Sequence, residues 1–238
     1  MTKNKHNIDE AHGQNTSQQL NKLRASVLGA NDGIVSISGL VVGVAGAQAS
    51  SSAILTAGMA GVIAGAISMA AGEYVSVSSQ RDTERALLAK EKFELKNYPE
   101  MEQAELGKIY QAKGLSRPTA VKVAQELTDH DKFAAHAEAE LRIDPNQLAS
   151  PWAAAIASAV SFLIGSALPI ITILLPPKNL RLPATFISVI IALFITGAIS
   201  ARIGKAPMRP AIVRVVLGGA FAMVVTYGIG YLFHASGI

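Results

Sequence analysis

The chain has 238 residues, of which half are hydrophobic, 16% are charged and none is cysteine; its formal net charge is +4 and its mean hydropathy +0.33. Soluble domains carry about 25% charged residues, so this balance points to an integral membrane protein, and the lack of cysteine excludes a disulfide framework, a thiolate metal site and a thiol nucleophile. The basic excess does not indicate nucleic acid, because no basic patch interleaves with aromatic residues and lysine and arginine fall where membrane topology would put them.

Residues 1–22 are polar, contain His6 and His12, and lack the apolar core of a signal peptide, so they read as a disordered tail whose histidines stay solvated. Five stretches then supply the roughly 20 apolar residues that a bilayer-crossing helix needs. They cover residues 23–49, 53–79, 151–175, 184–203 and 211–233, and the short QASSS link makes the first two a hairpin. Gly29/Gly33, Gly39/Gly43 and Gly61/Gly65 have a spacing that lets backbones approach, within one chain or across a dimer.

Residues 81–148, between the second and third spans, read as a separate helical bundle. The second span continues without a breaker through RDTERALLAKEKFELKN and stops before Pro99. A helix over 100–112 ends at Lys113-Gly114, where glycine suits a left-handed cap. The next opens with Ser116 as N-cap and Pro118 in its first turn and runs to residue 127, and a last one covers 129–142. Of the 21 lysines and arginines only Lys178 and Arg181 lie on the opposite side of the spans, which puts the N-terminus and the 81–148 bundle in the cytoplasm. The expected domains are therefore 1–22, 23–80, 81–148 and 149–238.

The acidic residues carry the functional signal. Of 17, 13 fall between Asp82 and Asp144, none follows Asp144, and only Asp32 and Glu73 lie within apolar spans. A carboxylate at mid-bilayer costs about 2.5 to 3.5 kcal/mol even on mild scales, so such a residue lines a polar path or pairs with a partner. The hairpin brings Asp32 level with Glu73, and Met69 precedes Glu73 by one helical turn, offering a thioether beside a carboxylate. The plainer alternative is that Asp32 caps a helix start at Gly33, Glu73 pairs with Arg24, and Met69 only packs.

In the bundle, Glu91/Glu94 and Glu102/Glu105 are i, i+3 pairs on two helices joined at Asn97-Tyr98-Pro99, so antiparallel packing would turn both pairs into one cleft suited to a hard divalent cation. A solvated face paired with Lys90, Lys92, Lys96 and Lys108 is the competing reading. His136 and Glu140 form an i, i+4 imidazole and carboxylate pair of the kind that binds Mn, Fe, Co or Zn, or else a surface pair. There is no HExxH, no GxSxG and no second intramembrane aspartate to make a dyad with Asp32, so an enzyme is not expected.

Together, NDGIVS, SMAAGEYVSVSSQRD, the two ExxE pairs, KGLSRPTAVKVAQELT and PWAAAIASA resemble the vacuolar iron transporter family, over nearly the whole chain from about Leu20. The resemblance implies an all-α integral membrane homodimer with five spans that moves Fe2+, and often Mn2+ or other divalent ions, out of the cytosol in exchange for protons. It implies a path between protomers built from Asp32, Met69 and Glu73, and cytoplasmic helices that gather metal through Glu91, Glu94, Glu102, Glu105 and Glu140. Where a plant member can show two methionines this chain has His136 and Ala137, which leaves metal preference open, with Zn2+ and Co2+ also compatible. No tightly bound cofactor is expected. The partners are divalent ions, protons, lipid and a second copy of the chain, and the membrane is the bacterial plasma membrane. The competing function is a membrane-tethered metal-binding or sensing protein without transport.

Overall fold

The computed structural model describes residues 16–236, with side chains from Asn21 onward, and all regular structure in that range is helical. The helices are α1 (Thr16–Gly46), α2 (Ser51–Asn97), α3 (Pro99–Ala112), α4 (Arg117–His136), α5 (Pro151–Leu174), α6 (Arg181–Ile203) and α7 (Met208–Ala235), with a π-helical turn at Ala137–Leu141. Among them α1, α2, α5, α6 and α7 are long and apolar enough to cross a membrane. His6 and His12 lie outside the described residues. The chain divides into two compact units, one of Leu20–Val75 with Pro151–Ile238 and the other containing Ser76–Ser150.

In the first unit, small residues fix how closely helices approach. A Cβ on Gly29 or Gly33 would sit 2.3 Å from the backbone oxygen of Ser158 or Phe162 on α5, and one on Gly230 of α7 would sit 1.9 Å from the Gly43 oxygen. Any larger side chain there must push the helices apart, so Gly29/Gly33 and Gly43 serve packing within the chain. Around these crossings Ile37, Val41, Ile54, Val62, Phe162 and Ile173 form one buried cluster, and Ile34, Val42, Val189, Leu193 and Met223 another.

The second unit is built on the C-terminal part of α2, which continues unbroken from its apolar half as the sequence predicts. Leu88, Glu91 and Leu95 recur at i, i+3, i+7 on its buried face. Helix α3 ends in a Schellman arrangement: Gly114 has a φ of 102°, its N–H donates to the Gln111 carbonyl, and the Leu115 N–H donates to the Tyr110 carbonyl. Ser116 precedes α4 in extended conformation, but its hydroxyl shares a hydrogen bond with that of Thr119 rather than capping the helix.

One boundary differs from expectation. The break expected near residue 128 falls at Asp131, which has non-helical φ/ψ of −155° and 93°. The Asp131 carboxylate accepts the Ala134 N–H at 3.0 Å, the bond of an N-cap residue to its third helical position. Asp131 thus starts the short segment that carries His136, and the sequence signal is the DKFA stretch that begins at Asp131, two residues after Asp129.

Candidate metal centre

Four side chains of the second unit converge. Glu91 from α2, Glu102 from α3, His136 from the end of α4 and Glu140 from the π turn each bring one ligand atom within 4.8 Å of all the others. His136 is completely buried, Glu91 is 2% exposed and Glu102 is 7% exposed. His136 Nδ1 lies 3.2 Å from Glu91 Oε1 and 3.8 Å from Glu102 Oε2. Yet neither imidazole nitrogen has an aligned hydrogen-bond partner, and the buried Glu91 Oε1 and Glu140 Oε2 also have none. Buried polar groups are ordinarily satisfied, so unpartnered atoms on three of four converging side chains make this cluster a candidate ion site.

Local structure explains how these groups arrive together. Glu91 replaces an apolar residue in the Leu88/Leu95 stripe, and Glu102 lies one turn before the fully buried Leu106 on α3. The π turn has a wider backbone than an α-turn, and it presents Glu140 beside His136 where α4 is already ending. Lys92 of α2 lies over the Phe133 ring, 5.0 Å from its centre, and ties that final segment to α2.

The members of each expected ExxE pair are not equivalent. Glu94 is half-buried and forms an ion pair with Lys90 at 3.1 Å, and Glu105 is exposed. Both still act through charge. Burial first, then the charges of Glu140, Glu102, Glu94 and Glu105, push the Glu91 carboxyl up to about 7. Burial, then Glu105 and other glutamates, raises Glu102 and Glu140, with Lys90 opposing in both. Burial lowers His136, against the pull of Glu105. An imidazole kept neutral beside three carboxyl groups is the donor set of a borderline divalent ion, whose two positive charges would relieve the crowding.

A pH dependence follows. Raised carboxyl values mean that the folded metal-free protein holds protons which the unfolded chain would release. The contribution of these carboxyls to stability is therefore full on the acid side and declines as pH rises from the ordinary 4.5 through about 7, while the lowered His136 contributes with the opposite sign as pH falls through 6.5. Metal must displace those protons. Its apparent affinity should climb by about tenfold per pH unit for each proton displaced, up to about pH 7, and then level off. Calorimetric titration of the detergent-solubilised protein with Mn2+ across that window measures both the slope and the plateau.

The three residues expected in the membrane are differently placed. Asp32 is half-buried in the interior of α1, where its carboxylate accepts the Ser36 hydroxyl at 2.7 Å, so it does not cap a helix start at Gly33. Glu73 is 8% exposed and pairs with Arg24 at 2.8 Å. Met69 packs against the Ile37, Val41 and Phe162 cluster. Among the described residues no hydrogen bond or shared cation joins Asp32 to Glu73. Next to Glu73, the Tyr74 ring meets Trp152 at 4.9 Å, an aromatic pairing typical of the membrane–water boundary.

Five apolar helices define a polytopic membrane protein, and its carboxylate–imidazole cluster is a group of side chains that could hold a metal ion. Residues 23–231 match the VIT family. The chain is 41% identical over 226 residues to the vacuolar iron transporter of Acanthamoeba castellanii, covering 94% of this chain and 84% of that protein. It is 36% identical to vacuolar iron transporter homolog 5 of Oryza sativa subsp. japonica, over 92% of this chain and 83% of the relative. With vacuolar iron transporter homolog 2.1 of Arabidopsis thaliana the identity is 33%, over 89% and 81%. The chain belongs to the VIT family; it is an integral membrane protein and not an enzyme.

Proposed function

We propose that the protein exports divalent metal, Fe2+ and with it Mn2+, from the cytosol in exchange for protons, along a path formed where two copies meet. The observation that carries this reading is the buried Glu91, Glu102, His136 and Glu140 cluster with its orphaned donors, in a family whose relatives are named for iron transport. The cluster, aided by the charges of Glu94 and Glu105, collects the ion on the cytoplasmic side. Asp32, Met69 and Glu73 then pass it through the membrane. Protons arriving from the far side compete with metal for the same carboxylates, and that competition couples the two fluxes.

The cytoplasmic assignment of 81–148 rests on the lysine and arginine asymmetry, and the bacterial plasma membrane is the proposed location. The dimer is supported by α2, where Ala60, Ala64, Ser68 and Gly72 lie exposed at four-residue intervals, a seam along which a second copy of the helix packs closely. Three oxygen donors and one nitrogen fit Fe2+, Mn2+, Co2+ and Zn2+ better than softer ions.

The Arg24–Glu73 pair is also what a tethered metal-binding protein would contain, with Glu73 serving structure alone. Flux decides between the two. Reconstituted protein should carry Fe2+ and Mn2+ across liposomes, faster with a pH gradient of the coupling sign. Metal binding without any flux would leave the tethered reading standing.

A further inference from the structure

Glu73 is the most deeply buried acid of the membrane unit, and its cation partner comes from the same chain. Arg24 Nη2 lies 2.8 Å from Glu73 Oε1, yet the arginine side chain is 55% exposed and only the glutamate is enclosed. Arg24 also lines a cavity of about 420 Å³ between α1, α6 and α7, together with Asn31, Thr196 and Ser200. The Asn31 Oδ1 is buried without a hydrogen-bond partner. The guanidinium therefore has one tight partner, and Arg24 shares with Asn31, Thr196 and Ser200 the lining of a neighbouring, largely apolar volume.

We propose that Arg24 is a tethered counter-ion that occupies the Glu73 carboxylate between transport events and swings into the neighbouring cavity when a divalent ion takes its place. The proposal rests on Glu73 being a path residue. An ionised carboxylate left alone in a low-dielectric site is costly, so Glu73 must hold a proton, a metal ion or a protein cation at every stage. A guanidinium does not lose its proton in proteins, so it can vacate the site only by moving. The Thr196 hydroxyl, which donates to the Leu193 carbonyl, and Ser200 leave oxygen lone pairs along that lining to accept from the guanidinium N–H groups. An entering ion must outcompete a tethered single charge, which a dication does and Na+ or K+ does not. On the far side of the cycle the returning guanidinium helps expel the metal. Arg24 thus trades affinity for turnover and screens against monovalent ions.

The test is Mn2+ flux against concentration in proteoliposomes containing the full chain, for the parental protein, Arg24→Gln and Arg24→Lys. Removing the competitor in Arg24→Gln should lower the half-saturating Mn2+ concentration roughly fivefold, the scale of one partly exposed charge pair, and lower the maximal rate as release slows. Arg24→Lys keeps a charge but loses the planar fork, so the half-saturating concentration should move the same way by less. A purely structural anchor would leave that concentration unchanged or raise it, and either result overturns the proposal. Where Arg24→Gln does not fold, the direction seen in Arg24→Lys decides by the same criterion. Parental flux with no fall in half-saturation in the variants defeats this inference alone, whereas absence of parental flux defeats the transport reading and this inference with it.

Discussion

Asp32→Asn should reduce metal flux to background, at least about a hundredfold below the parental protein, while leaving the protein folded. The amide has nearly the shape of the carboxylate and retains an oxygen to accept the Ser36 hydroxyl, so the α1 interior is undisturbed. What it loses is the negative charge, and with it both the attraction for a dication and the ability to exchange a proton for it. Flux of Fe2+ or Mn2+ into proteoliposomes, with size-exclusion behaviour as the control for folding, reads the two effects separately. Flux at the parental rate would remove Asp32 from the path. Because Asp32 is bonded, among the described residues, only to the Ser36 hydroxyl, while Glu73 has an arginine, the two acids are expected to respond differently: Asp32 should be available to a passing ion at rest, and Glu73 should first have to be released.

The spans were legible in the sequence because twenty apolar residues in a row leave few alternatives, and the Pro99 and Gly114 signals marked helix ends for stereochemical reasons that tertiary packing does not override. The candidate cluster was legible as composition and blurred as geometry. An ExxE spacing says that two glutamates share a face, but it does not say which of them faces the core. Glu91 is distinguished from Glu94 by Leu88 and Leu95 flanking it at i−3 and i+4, and Glu102 from Glu105 by Leu106 at i+4. Reading the glutamates against the apolar stripe, and not only against each other, separates the enclosed pair from the outer one. Nothing in the local pattern announces the π turn that delivers Glu140, since a π turn is stabilised by what packs around it. The Arg24–Glu73 pair was visible only as an alternative, because joining residues 24 and 73 requires the register of two helices.

The distinction between enclosed and outer glutamates makes the second large prediction one of opposite signs. Glu91→Gln should stabilise the metal-free protein above about pH 7 and at the same time weaken metal binding at least about a hundredfold. In the metal-free state the Glu91 carboxyl is held up to about 7 by burial and by four neighbouring acids, so at higher pH its ionised form opposes folding. A neutral amide of the same shape removes that opposition. With metal present the same charge is what binds the ion, and the amide oxygen is a poor replacement for it. Thermal unfolding in detergent should therefore show a higher transition for Glu91→Gln without metal, and little further rise on adding Mn2+. The parental transition should climb with metal concentration as RT ln(1 + [Mn2+]/Kd) requires. Glu105→Gln is the matched control: its carboxylate is exposed and acts only through charge, so affinity should fall by roughly threefold. Equal losses in the two variants would mean that a diffuse acidic field attracts the metal, and that the enclosed cluster does not ligate it.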